Sequence, residues 1–402
     1  MKNWKHTFAI IWSGQLMSIL SSNIVGYAII FWISIETGSP ETLALAALAA
    51  LLPQSVLGLF TGVFIDRWNR RFVMIFSDLF IATATFVLVI LFYLGKAEIW
   101  HIYLLAAVRS TGQAFHMPAM QASIPLLAPQ SQLMRIAGIN QMIYSVSGIA
   151  GPAIGAILIS FASMTWVLMI DVVGAIFAAG SLLFVKIPNP EKQENAPPPH
   201  VFRELKEGLA EIGKDKGLLL IFTFSVICTF FIMPIAVLFP LMTLNHFGGG
   251  VMQMSIVEIF WGAGMLAGGA IMGARKWEVN KAVLLNWMYF AFGISFLIPG
   301  ILPPTAFIWF VVFTTLGGIS SAIYNAAFNT LIQIKISPEK LGRVFSTYTS
   351  LTLLPSMIGI LGAGFVAERI GLVNAFIICG IINLMIGLAS VMTPAIKRTG
   401  EI

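Results

Sequence analysis

Charge and cysteine are what this sequence has least of. Asp, Glu, Lys and Arg together make up 10% of 402 residues, and there are 2 cysteines. So little charge beside 58% hydrophobic residues and a mean hydropathy of +0.91 excludes a soluble globular domain and leaves a polytopic membrane protein. Cys228 and Cys379 sit mid-helix in different halves, supply no disulfide framework, and read as free thiols in apolar surroundings. No cluster has metal-ligand spacing, so no metal and no cofactor is expected. The G-x-x-x-x-G-K-[S/T] phosphate loop is missing, which disfavours a nucleotide-driven pump. The loops are short and carry no nucleophile–base motif, which disfavours an enzyme. The first apolar run is too long for a removable signal peptide and lacks a small-residue cleavage site.

What is present is a series of apolar runs long enough to span a bilayer. They fall near 8–35, 43–66, 72–94, 100–126, 134–162, 164–187, 217–245, 252–274, 281–300, 305–333, 343–367 and 372–394. Twelve spans put both termini on one side. Nearly all of the 23 Lys and Arg fall in loops or tails on that side; the exceptions are Lys96, Arg369 and the intrahelical Arg109. By the positive-inside rule both termini are cytoplasmic. The net charge of +6 therefore reports topology and gives no reason to expect nucleic-acid binding. The stretch from Pro188 to Pro199 is polar and proline-rich and cannot span. After it, Phe202, Leu205, Leu209 and Ile212 fall on one face of a helix with mixed charges opposite, the pattern of an amphipathic helix lying on the membrane surface. The expected domains are a six-helix bundle over 1–187, a cytoplasmic linker over 188–216, and a second six-helix bundle over 217–402. A weak internal repeat supports two similar halves: Leu133-Met-Arg135 enters the fifth span and Leu341-Gly-Arg343 enters the eleventh.

Polar residues inside spans are the candidate site, because each must face protein or water. On the first span Gln15, Ser18 and Ser22 form a stripe with Asn23 nearby. It reads equally as cavity lining and as helix–helix hydrogen bonding. No acid lies on that span, so proton coupling has to be sought elsewhere. On the fourth, Arg109, Gln113 and His116 share a face, and Arg109 lies too deep for easy snorkelling. Its candidate partner is Asp171 in the outer half of the sixth span. The pair is either a static structural ion pair or a carboxyl whose protonation depends on a cation that moves. His116 is either a structural hydrogen-bonding histidine or a proton carrier. Glu258 is the one acid inside a helix of the second half. The seventh span is rich in Phe and Met, among them Phe224 and Phe231, and its prolines Pro234 and Pro240 are expected to break it. The tenth carries Ser321, Asn325, Asn329 and Gln333 along one face, and the eighth is lined with Gly264, Gly268, Gly269 and Gly273 as a packing helix.

Three motifs carry a resemblance. Gly62-Val-Phe-Ile-Asp66-Arg67-Trp-Asn69-Arg70-Arg71 resembles the G-x-x-x-D-R-x-G-R-R turn of the major facilitator superfamily. Asn69 stands at its last glycine, a residue that tolerates positive φ. Arg109-x-x-Gly112 resembles the R-x-x-x-G signature of the fourth helix, one residue shorter. Ser147-Gly148-Ile-Ala-Gly151-Pro152-Ala-Ile-Gly155 resembles the antiporter motif of the fifth, where small residues beside a proline give close packing. Further stretches around Gln15, Arg109, His116, Asp171, Glu258 and Arg343 look like macrolide-efflux proteins of the drug:proton antiporter group, along all twelve spans. That resemblance implies an all-α membrane fold of two pseudo-symmetric six-helix bundles in a bacterial cytoplasmic membrane. It also implies proton-driven export of 14- and 15-membered macrolides by alternating access, and hence antibiotic resistance. Asp171, Glu258 and Arg109 would couple the proton. Gly62, Asp66, Arg67, Arg70, Arg71, Asp78 and Arg343 would form the cytoplasmic gate, with a loop arginine as partner for Asp78. Gln15, Ser22, Asn23, Gln113, His116, Phe224, Phe231, Asn325 and Asn329 would line the substrate cavity. The expected partners are a small amphipathic drug, protons and the bilayer, and the family adds an ATP-binding-cassette resistance protein as a candidate. The competing readings are export of another compound on the same scaffold (multidrug, siderophore or metabolite) and a membrane receptor without turnover.

Overall fold

A computed structural model describes residues 4–65, 68–127, 133–185, 187, 201–274 and 279–399. Among them there is no strand. The helices are α1 (Trp4–Thr37), α2 (Pro40–Ile65), α3 (Arg70–Tyr93), α4 (Ile99–Leu127), α5 (Leu133–Phe161), α6 (Met164–Leu183), α7 (Val201–Ile212), α8 (Lys216–Val237), α9 (Phe239–Leu241), α10 (Val251–Gly273), α11 (Lys281–Ile301), α12 (Phe307–Lys335), α13 (Pro338–Ile370), α14 (Leu372–Val391) and α15 (Pro394–Thr399). The twelve long ones coincide with the twelve apolar runs. Eleven contain a stretch long and apolar enough to cross a membrane. α4 does not, because Arg109, Gln113 and His116 dilute it.

One expected span divides. The run over 217–245 becomes α8, a break at Leu238, the single turn α9, and a five-residue π-helix, Met242–His246. Pro234 stays inside α8 without ending it, whereas Pro240 lies just past the break. A proline there has no N–H to give and its ring crowds the carbonyl four residues back, so the α8 hydrogen-bond ladder stops before it.

The chain separates into two compact units. Unit 1 is residues 1–33 and 46–199; unit 2 is residues 34–45 and 200–402. In unit 1, α3 packs on α4 and α6, and Ile11, Trp12, Met74, Ala119, Met120 and Leu182 form a buried cluster. Glycines let α5 approach α1: a Cβ at Gly155 would meet the carbonyl oxygen of Ile24, and one at Gly151 would meet Asn23. Gly148 faces open space instead, so the first glycine of the antiporter-like stretch is no packing contact. In unit 2, α10 and α12 interlock through Gly264 and Gly268 on one side and Gly318 on the other, each against the partner's backbone. α11 packs on α12 and α14, and α8 on α13. The segment 34–45 belongs to this unit: Asn245 Nδ2 donates to Gly38 O at 3.1 Å, and a Cβ at Gly364 would meet Ala44. α7 docks on α13. Ile212 is fully buried, and Glu211 accepts from Lys214 at 2.6 Å and Lys340 at 3.0 Å. The two lysines hold the Glu211 carboxyl below its ordinary range, and Glu211 raises Lys214 in return.

Both cysteines are free and buried. Cys228 Sγ donates to Asn383 Oδ1 at 3.0 Å and Cys379 Sγ to the Phe231 carbonyl at 3.3 Å.

Candidate polar site inside the first helix bundle

Asp171, at 1% exposure, is the centre of unit 1. Its Oδ2 accepts from Arg109 Nη1 at 2.5 Å and from Thr85 Oγ1 at 2.8 Å, and its Oδ1 accepts from Ser22 Oγ at 2.6 Å. Arg109 Nη1 also donates to Thr85 Oγ1 at 2.8 Å. One carboxylate thereby ties α1, α3, α4 and α6 together. The physical reason is satisfaction: a carboxylate out of water is stable only when a cation and further donors replace its hydration. The sequence pointed to the Arg109–Asp171 pair through the depth of both residues. It gave no hint of Thr85, whose hydroxyl in an apolar helix usually bonds back to its own chain and here also reaches Ile81 O. The one available signal was its spacing, seven residues from Asp78.

Asp78 is paired differently from the sequence expectation. Its neighbour is His116 on α4, with Nε2 3.3 Å from Oδ1, and the two side chains are 3% and 4% exposed. The loop arginines serve carbonyls. Arg70 Nη1 donates to Ala122 O at 2.5 Å. Arg71 donates through Nε to Leu182 O and through Nη2 to Leu183 O, both at 2.8 Å, where it caps the α6 C-terminus. Asn69 has φ −68°, so tolerance of positive φ is not its use; its side chain accepts from the Arg71 and Phe72 amides as the α3 N-cap. Asp66, Arg67 and the Arg343 side chain lie outside the described residues, and Gly62 lies in the last turns of α2.

The remaining expected residues scatter. Gln15 is fully buried. Asn23 is half-buried and donates back to Ile19 O at 2.9 Å, and Gln113 is half-buried. In unit 2, Glu258 is half-buried on α10, with no ion pair among the described residues. Phe224 and Phe231 are half-buried on α8, and Asn325 and Asn329 are exposed on α12. Asn325 lines a cavity of about 260 Å³ with Thr229, Met233, Tyr324, Tyr348 and Thr352. The two tyrosines had escaped the sequence reading because a lone Tyr in an apolar helix has no polar periodicity of its own.

Membrane helices tied through a buried Arg–Asp pair occur in several kinds of transporter, so comparison with known proteins decides the family. The family described as "transmembrane secretion effector" matches residues 4–401. The chain belongs to it, within the major facilitator superfamily. It is a multi-pass membrane transporter and not an enzyme. It is 37% identical over 396 residues to Macrolide efflux protein A of Streptococcus pyogenes, covering 98% of both chains. It is 24% identical over 384 residues to the multidrug efflux pump Tap of Mycobacterium tuberculosis, covering 91% of this chain and 88% of Tap. A solved structure of a variant of the nucleoside transporter NupG superposes with a TM-score of 0.73 at 15% identity, covering 95% and 99% of the two chains, which supports the facilitator fold alone.

Proposed function

We propose that this facilitator exports macrolide antibiotics from a bacterium, driven by the proton gradient across the cytoplasmic membrane, with both termini in the cytoplasm. The observation that carries this reading is 37% identity to a macrolide efflux protein along 98% of both chains. A relation of that extent covers the site residues together with the scaffold.

The geometry supports a mechanism. Asp171 accepts from Arg109 and two hydroxyls. If the α4 guanidinium withdraws when the bundle rearranges, the carboxylate loses its cation in a dry site and takes up a proton. Arg109 is thus the switching partner. Glu258, half-buried and with no ion pair among the described residues, is a further proton site or the counter-charge for a drug's amino-sugar cation. The 31 Phe and 19 Met supply adaptable apolar walls for a large amphipathic ring. Asp66, Arg67, Arg70 and Arg71 act as the gating turn of unit 1.

A second reading, broader drug export, is favoured by the likeness to Tap and by the tyrosine-lined cavity of unit 2, whose lining holds no fixed charge. Proteoliposomes containing the purified chain separate the two. An imposed pH gradient should drive erythromycin movement, and competition by unrelated cationic dyes would favour the broader range. No gradient-dependent movement of either would overturn proton-driven export.

A further inference from the structure

Two layers of polar side chains stack inside unit 1. The first is the Ser22, Thr85, Arg109 and Asp171 layer. Each of its members on α1, α3 and α4 has a polar counterpart seven residues away, toward the end that carries Arg70 and Arg71. These are Gln15 on α1, Asp78 on α3 and His116 on α4; on α6, Ala178 stands at the equivalent position. Seven residues are two helical turns, so the counterparts keep the same helix faces and lie about 10 Å along the bundle. Independent contacts hold the register: a Cβ at Gly112 would meet Ile81, and one at Gly14 would meet Ser181 and Ala178.

The two layers differ in charge. The first is neutral without any added proton, because the guanidinium of Arg109 keeps its own. Among the described residues the second has no permanent cation. At the same level by register α1 carries Gln15 and α6 Ala178, and on α5 Tyr144 donates to Sδ of Met117, the residue after His116, at 3.1 Å. Arg70 and Arg71 lie two turns away and donate to the carbonyls of Ala122, Leu182 and Leu183; Arg109 is bound to Asp171. An ionised Asp78 beside a neutral His116 would leave a buried negative charge. One added proton makes the pair neutral, as an imidazolium beside the carboxylate.

The hydrogen bonding agrees. Gln15, Asp78 and His116 are 0%, 2% and 3% exposed. Among the described residues, both amide atoms of Gln15, Oδ2 of Asp78 and Nε2 of His116 have no hydrogen-bond partner. Asp78 Oδ1 and His116 Nε2 stand 3.3 Å apart without hydrogen-bond alignment. Four such atoms on three side chains of one level call for an explanation; Ser147 Oγ on α5 is a further one in this unit.

We propose that Asp78 and His116 form a proton-binding site that holds one proton between carboxylate and imidazole, with the Gln15 amide as the adjoining donor and acceptor. The binding stands on this geometry alone. Its place in transport, as a second proton station two turns from Asp171, rests on the proposed proton-driven export.

The test is nitrogen NMR of the protein in lipid nanodiscs, with 15N in the imidazoles of its 5 histidines and His116→Gln to assign the signal. Spectra are taken from about pH 8 down to 5, and the His116 ring should take up a proton as pH falls. Asp78→Asn should abolish that uptake, and Asp78→Glu, which keeps the acid, should retain it. If His116→Gln does not fold, the signal is assigned as the one that Asp78→Asn alone changes. A ring that stays neutral across the range, or that titrates alike in wild type and Asp78→Asn, overturns the site. Gradient-driven export with a silent His116 would sink this site and leave the proposed function standing. A titrating His116 in a chain that moves no drug would do the reverse.

Discussion

Replacing Arg109 with Gln should damage the protein more than replacing Asp171 with Asn, and the structure says by how much. Arg109→Gln leaves a carboxylate at 1% exposure with only Ser22 and Thr85 as donors. Removing one partner of a buried pair costs about 3–5 kcal/mol, because the carboxyl must either stay charged without its cation or bind a proton to lose the charge. Asp171→Asn strands the guanidinium instead. That side chain is 16% exposed and still donates to Thr85, so its charge has a route to water that the aspartate lacks. Arg109→Gln combined with Asp171→Asn buries no net charge and should recover most of the loss. At about 2 °C per kcal/mol for a chain of this size, the arginine variant should melt roughly 6–10 °C below wild type. The aspartate variant and the double variant should each lie within about half of that drop. Intrinsic fluorescence from the 10 tryptophans of detergent-purified protein reports the transition. Additive losses in the double variant, or an aspartate variant as unstable as the arginine variant, would refute the view that Asp171 is the charge being neutralised.

Three further outcomes follow from contacts. Gly155→Leu should lower the yield of folded protein sharply by driving a side chain into the Ile24 carbonyl, whereas Gly148→Leu, facing open space, should not; detergent-extracted monodisperse yield separates them. Arg71→Ala removes two hydrogen bonds to the last carbonyls of α6 and should cost about 1–3 kcal/mol, read as a lowered Tm, while Arg71→Lys should restore only part of it. Glu211 is depressed by Lys214 and Lys340, so its contribution to the docking of α7 is present above the ordinary glutamate range and disappears as pH falls through the lower folded value. A cysteine crosslink between α7 and α13 should therefore form less readily in acid, and Glu211→Gln should remove that dependence.

The spans were legible because each is an apolar run of bilayer length, and α4 was found in spite of its polar face because Arg109, Gln113 and His116 keep helical spacing. The break at Leu238 was misplaced: a proline inside a membrane helix can be tolerated, as Pro234 is, or can stop the ladder, as Pro240 does, and neighbours that satisfy the freed carbonyls decide which. Within the site, Arg109 and Asp171 were legible from the cost of burying charge. Thr85 was not, since its hydroxyl could equally have bonded only its own helix. Asp78 was assigned to the arginines nearest in sequence, but the fold delivers His116 from a different helix while Arg70 and Arg71 turn to backbone carbonyls. Sequence proximity favours local pairs, whereas the three-dimensional register of α3 against α4 chooses the partner.

The most direct test of proton-driven macrolide export is the accumulation of labelled erythromycin in drug-sensitive bacteria expressing this chain, with and without a protonophore. Wild type is compared with Asp171→Asn and Glu258→Gln at matched expression. Low accumulation that rises with the protonophore, and is already high in at least one of the two variants, is the predicted result. Accumulation equal to that of cells without the protein, whatever the protonophore, would contradict it.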